Sequence, residues 1–483
     1  MVALPSYFLI RSLFVRLPAL VLALAFASLG VQVLGLAGQD GIAPAAARLA
    51  AIGSRFGDGA WRAFPTVLWL NASDGAMSGL CWAGAAAGLF AAAGIFQAPL
   101  LFFCWGAYLS LCVPIVPFMN FQWDSLLLEV GLLAALWAPW RPFSGRPEND
   151  PIPSIFVLML SRILLFRLML ASGLVKLFSG DPVWRNLTAL TFHYETQPLP
   201  PWTAWYAHQL PAGFHRFSAG AMFFIELAVP FLFFLPRRPR LAAFWLQALL
   251  QGLILLTGNY GFFNLLTLIL CLPLLDDARF LKARPDAAPR LPERFPETRW
   301  LRAAACTLLM AAGAGELWQL FARKTAPRPL SSLQDWLGPL RSVNSYGLFA
   351  VMTTTRPEII IEGTLDGKNW KEYQFKWKIG DPGRRPGFMA PHMPRLDWQM
   401  WFAALGDYQS NPWLLHLMGR LATGSEPVKK LLAADPFPGQ TPRAIRSVLY
   451  EYRFTGWSEG RKTGAWWTRR FMGAYSPTLE RRP

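Results

Sequence analysis

Long apolar segments separated by short polar ones fill the first two thirds of the chain. Between Asp74 and Asp124 lie 49 residues without Asp, Glu, Lys, Arg or His, and between Arg240 and Asp276 lie 35 more. A helix needs about 20 apolar residues to cross a bilayer, so each of these stretches can hold two helices. The pattern predicts a polytopic α-helical membrane domain in residues 1–321 with about nine spans, near 17–39, 76–96, 99–120, 122–140, 153–177, 216–236, 241–257, 258–275 and 299–321.

Basic residues beside these segments predict the orientation of the first span. Residues 17–39 follow Arg11 and Arg16 and exceed the roughly 7–15 residues of a signal-peptide core, so we interpret them as a retained helix and not a cleaved signal. Arginine-rich loops at 237–240 and 279–299 fall on the same side as the N-terminus. The positive-inside rule makes that side cytoplasmic.

An odd number of spans places the remaining loops and the tail, residues 322–483, outside the cytoplasm. The two long extracytoplasmic loops are then 38–75 and 178–215. The hairpin at 241–275 is the weakest part of this topology, because a single or re-entrant element there would move the tail to the cytoplasm.

The tail is polar enough to form a water-soluble domain of ordinary size. Its strand signals are a β-branched run at 358–363, the turn Asp366-Gly367, the alternating Tyr373, Phe375 and Trp377, and the segment 445–454. Residues 396–405 and 414–421 have the pattern of short helices. We therefore expect a β-rich, β-sandwich-like extracytoplasmic domain.

Composition excludes several classes of protein. Hydrophobic residues make up 53% of the chain and charged residues 16%, against about 25% in soluble domains. The net charge of +17 comes from loop residues beside apolar segments, so we read it as a topology signal and expect no nucleic-acid partner. The five cysteines lie in apolar segments without a CxxC pair, which argues against disulfide, zinc and iron–sulfur sites. No metal or cofactor is predicted.

Several charged residues lie in or beside predicted spans, where a charge costs roughly 2.5–3.5 kcal/mol and is normally paired or faces a cavity. Helical rise gives their depths at about 1.5 Å per residue. The depths predict a shallow pair, Lys176 with Asp124, and a deeper one, Arg167 with Glu226 or Glu129. Such pairs either fix helix packing only or line an outward-facing pocket in which Lys176 is a base. The predicted intramembrane network comprises Glu129, Arg162, Arg167 and Glu226, and Glu316 is another charge within a span.

Three groups of motifs face the predicted outer compartment. They include Asn120-Phe-Gln-Trp-Asp124, Ser172-Gly-Leu-Val-Lys176, Asn344-Ser-Tyr-Gly and Pro394-Arg-Leu-Asp-Trp-Gln-Met-Trp-Phe402. With their surroundings, from about residue 118 to the C-terminus, they resemble the lipase maturation factor family. The resemblance implies a polytopic membrane part, a soluble C-terminal domain and a chaperone role for secreted lipases. In vertebrate members the compartment is the endoplasmic reticulum; for a bacterial member it implies the inner membrane with the tail in the periplasm.

A shorter resemblance gives an alternative function. Ser-Gly-Leu-Val-Lys176-Leu followed by Trp184 is similar to the segment around the catalytic lysine of vitamin K-dependent gamma-glutamyl carboxylase. It implies a membrane enzyme in which Lys176 acts as a base on a quinone- or lipid-like small molecule. The other candidate catalytic residues are Asp124, His193 and Glu195; the last two either form an acid–base or metal pair or belong to a loop that folds over the helix mouths.

The tail carries the candidates for client binding. Asp397-Trp-Gln-Met-Trp401 is aromatic and amphipathic, so Trp398 and Trp401 either grip an apolar client or lipid surface or belong to the core. Arg356, Arg395 and Asp397, with Glu358, form either a client-facing patch or a structural network. The leading expectation is a maturation factor with a lipase client and membrane lipids as partners. A lipid-binding or structural membrane protein without a client is the third alternative.

Overall fold

Helices fill the first part of the chain, as the apolar segments predict. The computed structural model describes residues 6–147, 150–280 and 298–480. The α-helices before the tail strands are α1 (Phe8–Gly30), α2 (Val33–Ala37), α3 (Ala45–Phe56), α4 (Ala60–Ala63), α5 (Asp74–Ala93), α6 (Gln97–Cys112), α7 (Gln122–Trp137), α8 (Ile155–Phe178), α9 (Pro182–Arg185), α10 (Leu190–Thr196), α11 (Trp202–His208), α12 (Ala212–Leu227), α13 (Arg237–Thr257), α14 (Phe263–Cys271), α15 (Thr298–Ala322) and α16 (Arg328–Leu337).

The chain has the helices of an integral membrane protein, but fewer full-length spans than the nine expected. Six helices in the described residues are long and apolar enough to cross a membrane: Phe8–Gly30, Asp74–Ala93, Ile155–Phe178, Ala212–Phe234, Arg237–Thr257 and Arg299–Ala322. The predicted spans near 99–120, 122–140 and 258–275 contain the shorter helices α6, α7 and α14. A 16-residue helix such as α7 measures about 24 Å, less than the roughly 30 Å of a bilayer core. An apolar run therefore overestimates the length of the continuous helix inside it.

Helix α1 packs against α5, α7 and α14. Small residues of α5 allow its close approach to α1. A Cβ on Gly88 would lie 2.8 Å from the backbone oxygen of Ala19, and one on Gly84 would clash with Phe26. The start of α1 is capped from far along the chain: the Asp277 carboxylate accepts from the backbone amides of Phe8, at 2.6 Å, and its neighbours.

The tail strands are antiparallel. They are β1 (Pro357–Thr364), β2 (Trp370–Glu372), β3 (Gln374–Phe375), β4 (Leu432–Ala434), β5 (Ala444–Phe454), β6 (Trp467–Ala474) and β7 (Leu479–Glu480), with helices α17 (Arg395–Ala404), α18 (Pro412–Ala422), α19 (Glu426–Lys429) and α20 (Trp457–Thr463). Five strands form one sheet in the order β2-β1-β5-β6, with β7 also paired to β5, while β3 and β4 form a separate pair. Helix α17 packs against β1. A helix thus covers this sheet where the expected β-sandwich would need a second large sheet.

The tail rests directly on one end of the helix bundle. Gln32, just after α1, donates to the Met393 carbonyl at 2.9 Å, and the Trp184 indole donates to the Phe349 carbonyl at 2.8 Å. We call this the tail-facing end; it holds the C-termini of α1 and α8 and the N-terminus of α7. The opposite, far end holds the N-termini of α1 and α8 and the C-terminus of α7.

Candidate functional site

The tail is joined to the bundle by a buried ion pair between Arg395 and Asp124. Arg395 begins α17, and both guanidinium Nη atoms reach the Asp124 oxygens at 2.7 Å. The Tyr108 hydroxyl donates to the same carboxylate at 2.6 Å. Arg395 is 1% and Asp124 0% exposed. Such a bidentate, charge-assisted contact fixes orientation as well as distance. The predicted pairing of Asp124 with Lys176 is therefore wrong.

The deeper predicted pair is confirmed in one of its two forms, Arg167 with Glu129. Their side chains approach to 3.0 Å. The tail completes this pair too, because the Tyr346 hydroxyl donates to Glu129 at 2.6 Å and Arg167 donates to the Asn344 carbonyl at 2.7 Å. A second polar contact thus links the bundle interior with the segment that follows α16.

Lys176 pairs with Glu226, the residue predicted for the deeper layer. Its ammonium lies 2.9 and 3.1 Å from the two carboxylate oxygens and 2.9 Å from the Ser172 carbonyl. Trp184 covers it, with the ring centroid 5.5 Å away. A lysine ammonium has three donors, and these contacts use all of them. The arrangement is that of a satisfied structural pair and leaves no donor for a substrate.

Two other charges near the spans have hydrogen-bond partners but no ion pair among the residues that the structure describes. Arg162 donates from Nε and Nη2 to the Pro273 carbonyl, at 3.0 and 2.8 Å, and from Nη2 to the Tyr7 hydroxyl. Glu316 accepts from the Gln334 amide at 2.8 Å. Backbone carbonyls and neutral side chains thus replace the ion pairs that charge matching alone would suggest.

A second buried charge cluster lies within the tail. Glu358 pairs with Arg356 at 2.9 Å and with Lys378 at 2.7 Å. Arg356 also donates to the carbonyls of Glu195, Gln197 and Pro198, in the loop between α8 and α12. One guanidinium thereby holds both the sheet and the loop. Of the four charges predicted to form a patch or a network, only Arg356 and Glu358 pair with each other. Arg395 pairs with Asp124, and Asp397 accepts from backbone amides.

The predicted client-binding residues are buried in this junction. Trp398 packs against Trp123 of the bundle with ring centroids 4.6 Å apart, and the Trp401 indole donates to the Thr196 carbonyl at 3.0 Å. Asp397 accepts from the backbone amides of Trp377 and Lys378, and burial raises its pKa. None of Arg356, Arg395, Asp397, Trp398 and Trp401 is more than 5% exposed. A client cannot touch these side chains in this arrangement, because their apolar and charged surfaces are already used for packing.

His193 and Glu195 do not form the proposed pair. His193 shares a 3.0 Å hydrogen bond with the Tyr260 hydroxyl, whereas Glu195 accepts from the Phe454 amide at 3.1 Å. Burial, with a smaller effect of the Lys176 charge, lowers the pKa of His193 to about 4. The loop that carries them therefore folds against the tail and the helix ends, as the structural alternative proposed.

The lowered pKa of His193 predicts acid sensitivity. Because the unfolded chain titrates near 6.5 and the folded one near 4, the unfolded state binds more protons between these values. Stability should be complete above about pH 6.5 and fall as the pH drops towards 4. Thermal unfolding of the purified protein in detergent at each pH measures this, and His193→Asn should flatten the slope. The exposed His416 in α18 is the control: if His416→Asn flattens it equally, His193 is not the titrating group.

Sequence reasoning missed several neutral residues of the junction. The Gln32 amide accepts from the Arg395 backbone at 2.9 Å and donates to Met393, while Tyr108 and Tyr346 each donate to a buried carboxylate. Gln32 and Tyr108 were hidden inside apolar runs. The amide side chain of Gln32, at the end of a predicted span, is the sequence signal that could have indicated a polar contact there.

The comparisons with known proteins cover both halves of the chain. A family model described as the lipase maturation factor transmembrane domain matches residues 9–282, and the lipase maturation factor C-terminal domain matches residues 342–477. Lipase maturation factor 2 of Homo sapiens is 37% identical over 97% of this chain and 82% of its own length. Lipase maturation factor 1 of Bos taurus is 36% identical over 99% of this chain and 90% of its own length. No solved structure matches. The chain is a member of the lipase maturation factor family.

Proposed function

We propose that this protein is a membrane-anchored maturation factor that assists the folding or assembly of secreted lipases. The observation that carries the proposal is the match to lipase maturation factors over 97% of the chain, including the membrane part and the tail. The comparisons give no support to the enzyme alternative, and the satisfied contacts of Lys176 agree with that. The positive loops support an orientation with the far end in the cytoplasm and the tail in the periplasm, or in the lumen of the endoplasmic reticulum in a eukaryotic host.

The client must meet a surface that the junction leaves open. Among the described strands β6 is an edge strand, paired to β5 on one side only. Its Phe471 and Met472 are 59% and 52% exposed. The register with β5 shifts at this point, since Leu449 pairs with Gly473 and Tyr450 with Phe471, so Met472 bulges out of the ladder.

An edge strand with exposed apolar side chains suits an unfinished protein. It can add an extended client segment through backbone hydrogen bonds while Phe471 and Met472 cover apolar client surface. Such a contact is reversible, and it shields the client until the client's own interface has formed. The junction keeps this strand at a fixed position relative to the membrane.

The test of this function uses a host from which the gene has been deleted. The quantity measured is the activity of the secreted lipase per mass of secreted lipase. We expect the deletion to lower it several-fold, wild type to restore it, and Phe471→Asp/Met472→Asp to fail although the variant accumulates and unfolds normally. The control is Leu365→Asp, an exposed apolar position beside the other sheet edge. Unchanged activity in the deletion strain contradicts the maturation role; full rescue by the double variant contradicts only the edge-strand contact.

A further inference from the structure

A loop at the tail-facing end of the bundle leaves apolar side chains uncovered. Residues 56–71 join the end of α3 to the start of α5 and include α4; we call them the aromatic loop. Trp61 and Leu70 are exposed, Leu70 by 80%. The loop has a packed interior of its own, because Trp61 stacks on Trp69 with ring centroids 5.8 Å apart and the Trp69 indole donates to the Phe64 carbonyl at 2.9 Å. Its fold therefore holds apolar side chains outwards, where another surface has to cover them.

The aromatic loop runs beside the first turns of α5. Thr66 anchors it to α6, because the Thr66 hydroxyl donates to the Ser110 carbonyl at 2.8 Å, two residues before that helix ends. Residues from 67–71 and 76–83 face each other across a groove of about 290 Å³. Leu80, which lines this groove, lies six residues after the start of α5, or about 9 Å along the helix axis. A helix of 20 residues just spans the hydrocarbon core, so the groove lies within the leaflet on the tail side.

The groove continues a face of α5 that points towards lipid. Helix α5 is one of the six described helices able to span a membrane, and 39% of its apolar stretch is buried inside the protein. Gly79 and Ala83 line the groove and are exposed. Ala86 and Phe90 follow on the same side of the helix and are exposed as well. An acyl chain that lies along this face of α5 therefore reaches the groove without leaving the bilayer.

Basic residues accompany this apolar surface. Arg48, Arg55 and Arg62 are exposed, and Asp58 is the only acidic residue between positions 41 and 73. Arg55 lies over the Phe56 ring at 5.6 Å from its centroid, so its charge lies beside the aromatic side chains. In the orientation proposed above these arginines are outside the cytoplasm, where the positive-inside rule disfavours them. Headgroup phosphates account for them, because a guanidinium binds two phosphate oxygens at once.

We propose that the aromatic loop is inserted into the tail-side leaflet of the membrane and binds an anionic phospholipid there. One acyl chain lies in the groove beside Leu70 and Leu80, and the phosphate oxygens contact Arg55 and Arg62. Trp61 then lies at the boundary between hydrocarbon and headgroups, where tryptophan is enriched.

The segment that leads into α3 joins this membrane contact to the tail. Arg420 of α18 donates to the carbonyls of Gln39 and Gly41, at 2.8 and 3.0 Å. Lipid bound by the aromatic loop therefore also steadies the tail against the bilayer. No lipase client takes part in this contact, so it can be tested apart from the proposed function.

A nitroxide label on Leu70→Cys measures the depth of the loop in proteoliposomes. The full-length chain suits this experiment because its five native cysteines are buried. Collision of the label with oxygen, which is enriched in hydrocarbon, is compared with its collision with a water-soluble nickel complex. We expect Leu70→Cys to resemble Leu89→Cys, on the exposed side of the α5 span, and to differ from Leu365→Cys in the tail. A label at position 70 that behaves like the one at position 365 overturns the insertion. Val67→Cys replaces Leu70→Cys if that variant does not fold.

Native mass spectrometry of the full-length protein in detergent measures the headgroup preference. The probes are dioleoyl phosphatidylglycerol, the zwitterionic dioleoyl phosphatidylcholine with the same chains, and soluble glycerol phosphate. We expect wild type to retain phosphatidylglycerol preferentially, and Arg55→Gln/Arg62→Gln to bind it roughly tenfold to thirtyfold more weakly. The matched control is Arg328→Gln, at an exposed arginine that begins α16, and it should bind like wild type. Equal retention of the two lipids by wild type, or an equal loss in the control, overturns the phosphate contact. Glycerol phosphate binding as tightly as the lipid overturns the lipid assignment in favour of a free phosphate ester.

Discussion

Arg395→Met is expected to lower the free energy of unfolding by about 3–5 kcal/mol, because it leaves Asp124 charged, buried and without its guanidinium partner. Equilibrium unfolding in mixed micelles measures the loss. Tryptophan fluorescence is a suitable signal, since Trp123 and Trp398 meet edge to face beside this pair. The variant should also release the tail to protease, because Arg395 bonds both to the bundle and through its backbone to Gln32.

Two further variants separate the ion pair from general damage to α17. Asp124→Leu/Arg395→Met removes both charges and should recover at least half of the loss, since a buried pair replaced by apolar residues is often nearly neutral. Arg453→Met breaks the exposed pair with Glu451, where Arg453 is 68% exposed, and should change stability by less than about 1 kcal/mol. If Arg395→Met behaves like Arg453→Met, the pair is not buried in solution and the tail is not held as described.

Arg356→Met should lower the free energy of unfolding by a similar amount, about 3–5 kcal/mol, for a different reason. It leaves the carbonyls of Glu195, Gln197 and Pro198 without this donor and leaves Glu358 with Lys378 as its ion-pair partner. We expect the loop between α8 and α12 to become sensitive to chymotrypsin before the rest of the protein unfolds. Limited proteolysis followed by mass spectrometry locates the first cleavage.

Arg356→Lys is the informative companion variant. It keeps a positive charge beside Glu358 but lacks the planar fork that reaches several carbonyls, so it should recover about half of the stability and little of the loop protection. Arg461→Met, on the exposed face of α20, is the surface control, expected within about 0.5 kcal/mol of wild type. First cleavage outside residues 178–215 in Arg356→Met would show that Arg356 does not hold this loop.

The sequence predicts that the helices exist and how deep their charged residues lie. It does not predict which neighbouring helix each charged side chain points towards. Depth matching succeeded for Arg167 and Glu129, which lie on the neighbouring helices α8 and α7. It failed for Lys176, because helical rise gives the height of a residue and not the direction in which it points. Glu226 lies one residue before the end of α12 and Lys176 two residues before the end of α8, and they touch, so a depth counted from the start of α12 does not match a depth counted from the end of α8.

The tail shows a second limit of the sequence pattern. Strands were predicted at 358–363 and 445–454, and β1 and β5 occupy these positions. The aromatic pattern of helix α17, in contrast, fits a protein-binding surface as well as a packed interior, because both bury apolar area. Trp398 and Trp401 are interior only because the bundle supplies Trp123 and the loop supplies Thr196. Partners so remote in sequence leave no local signal.

The pairing of Asp124 with Arg395 across 271 residues has a consequence for biosynthesis. Helix α7 is made and inserted long before α17 exists, so Asp124 spends that interval at a membrane end without its partner. The ion pair is completed only when the tail folds back onto the same end of the bundle. A chain stopped before α17 therefore carries the Asp124 carboxylate without its guanidinium partner. Assembly of this protein is therefore completed only by its last third, when the tail folds onto the helix bundle.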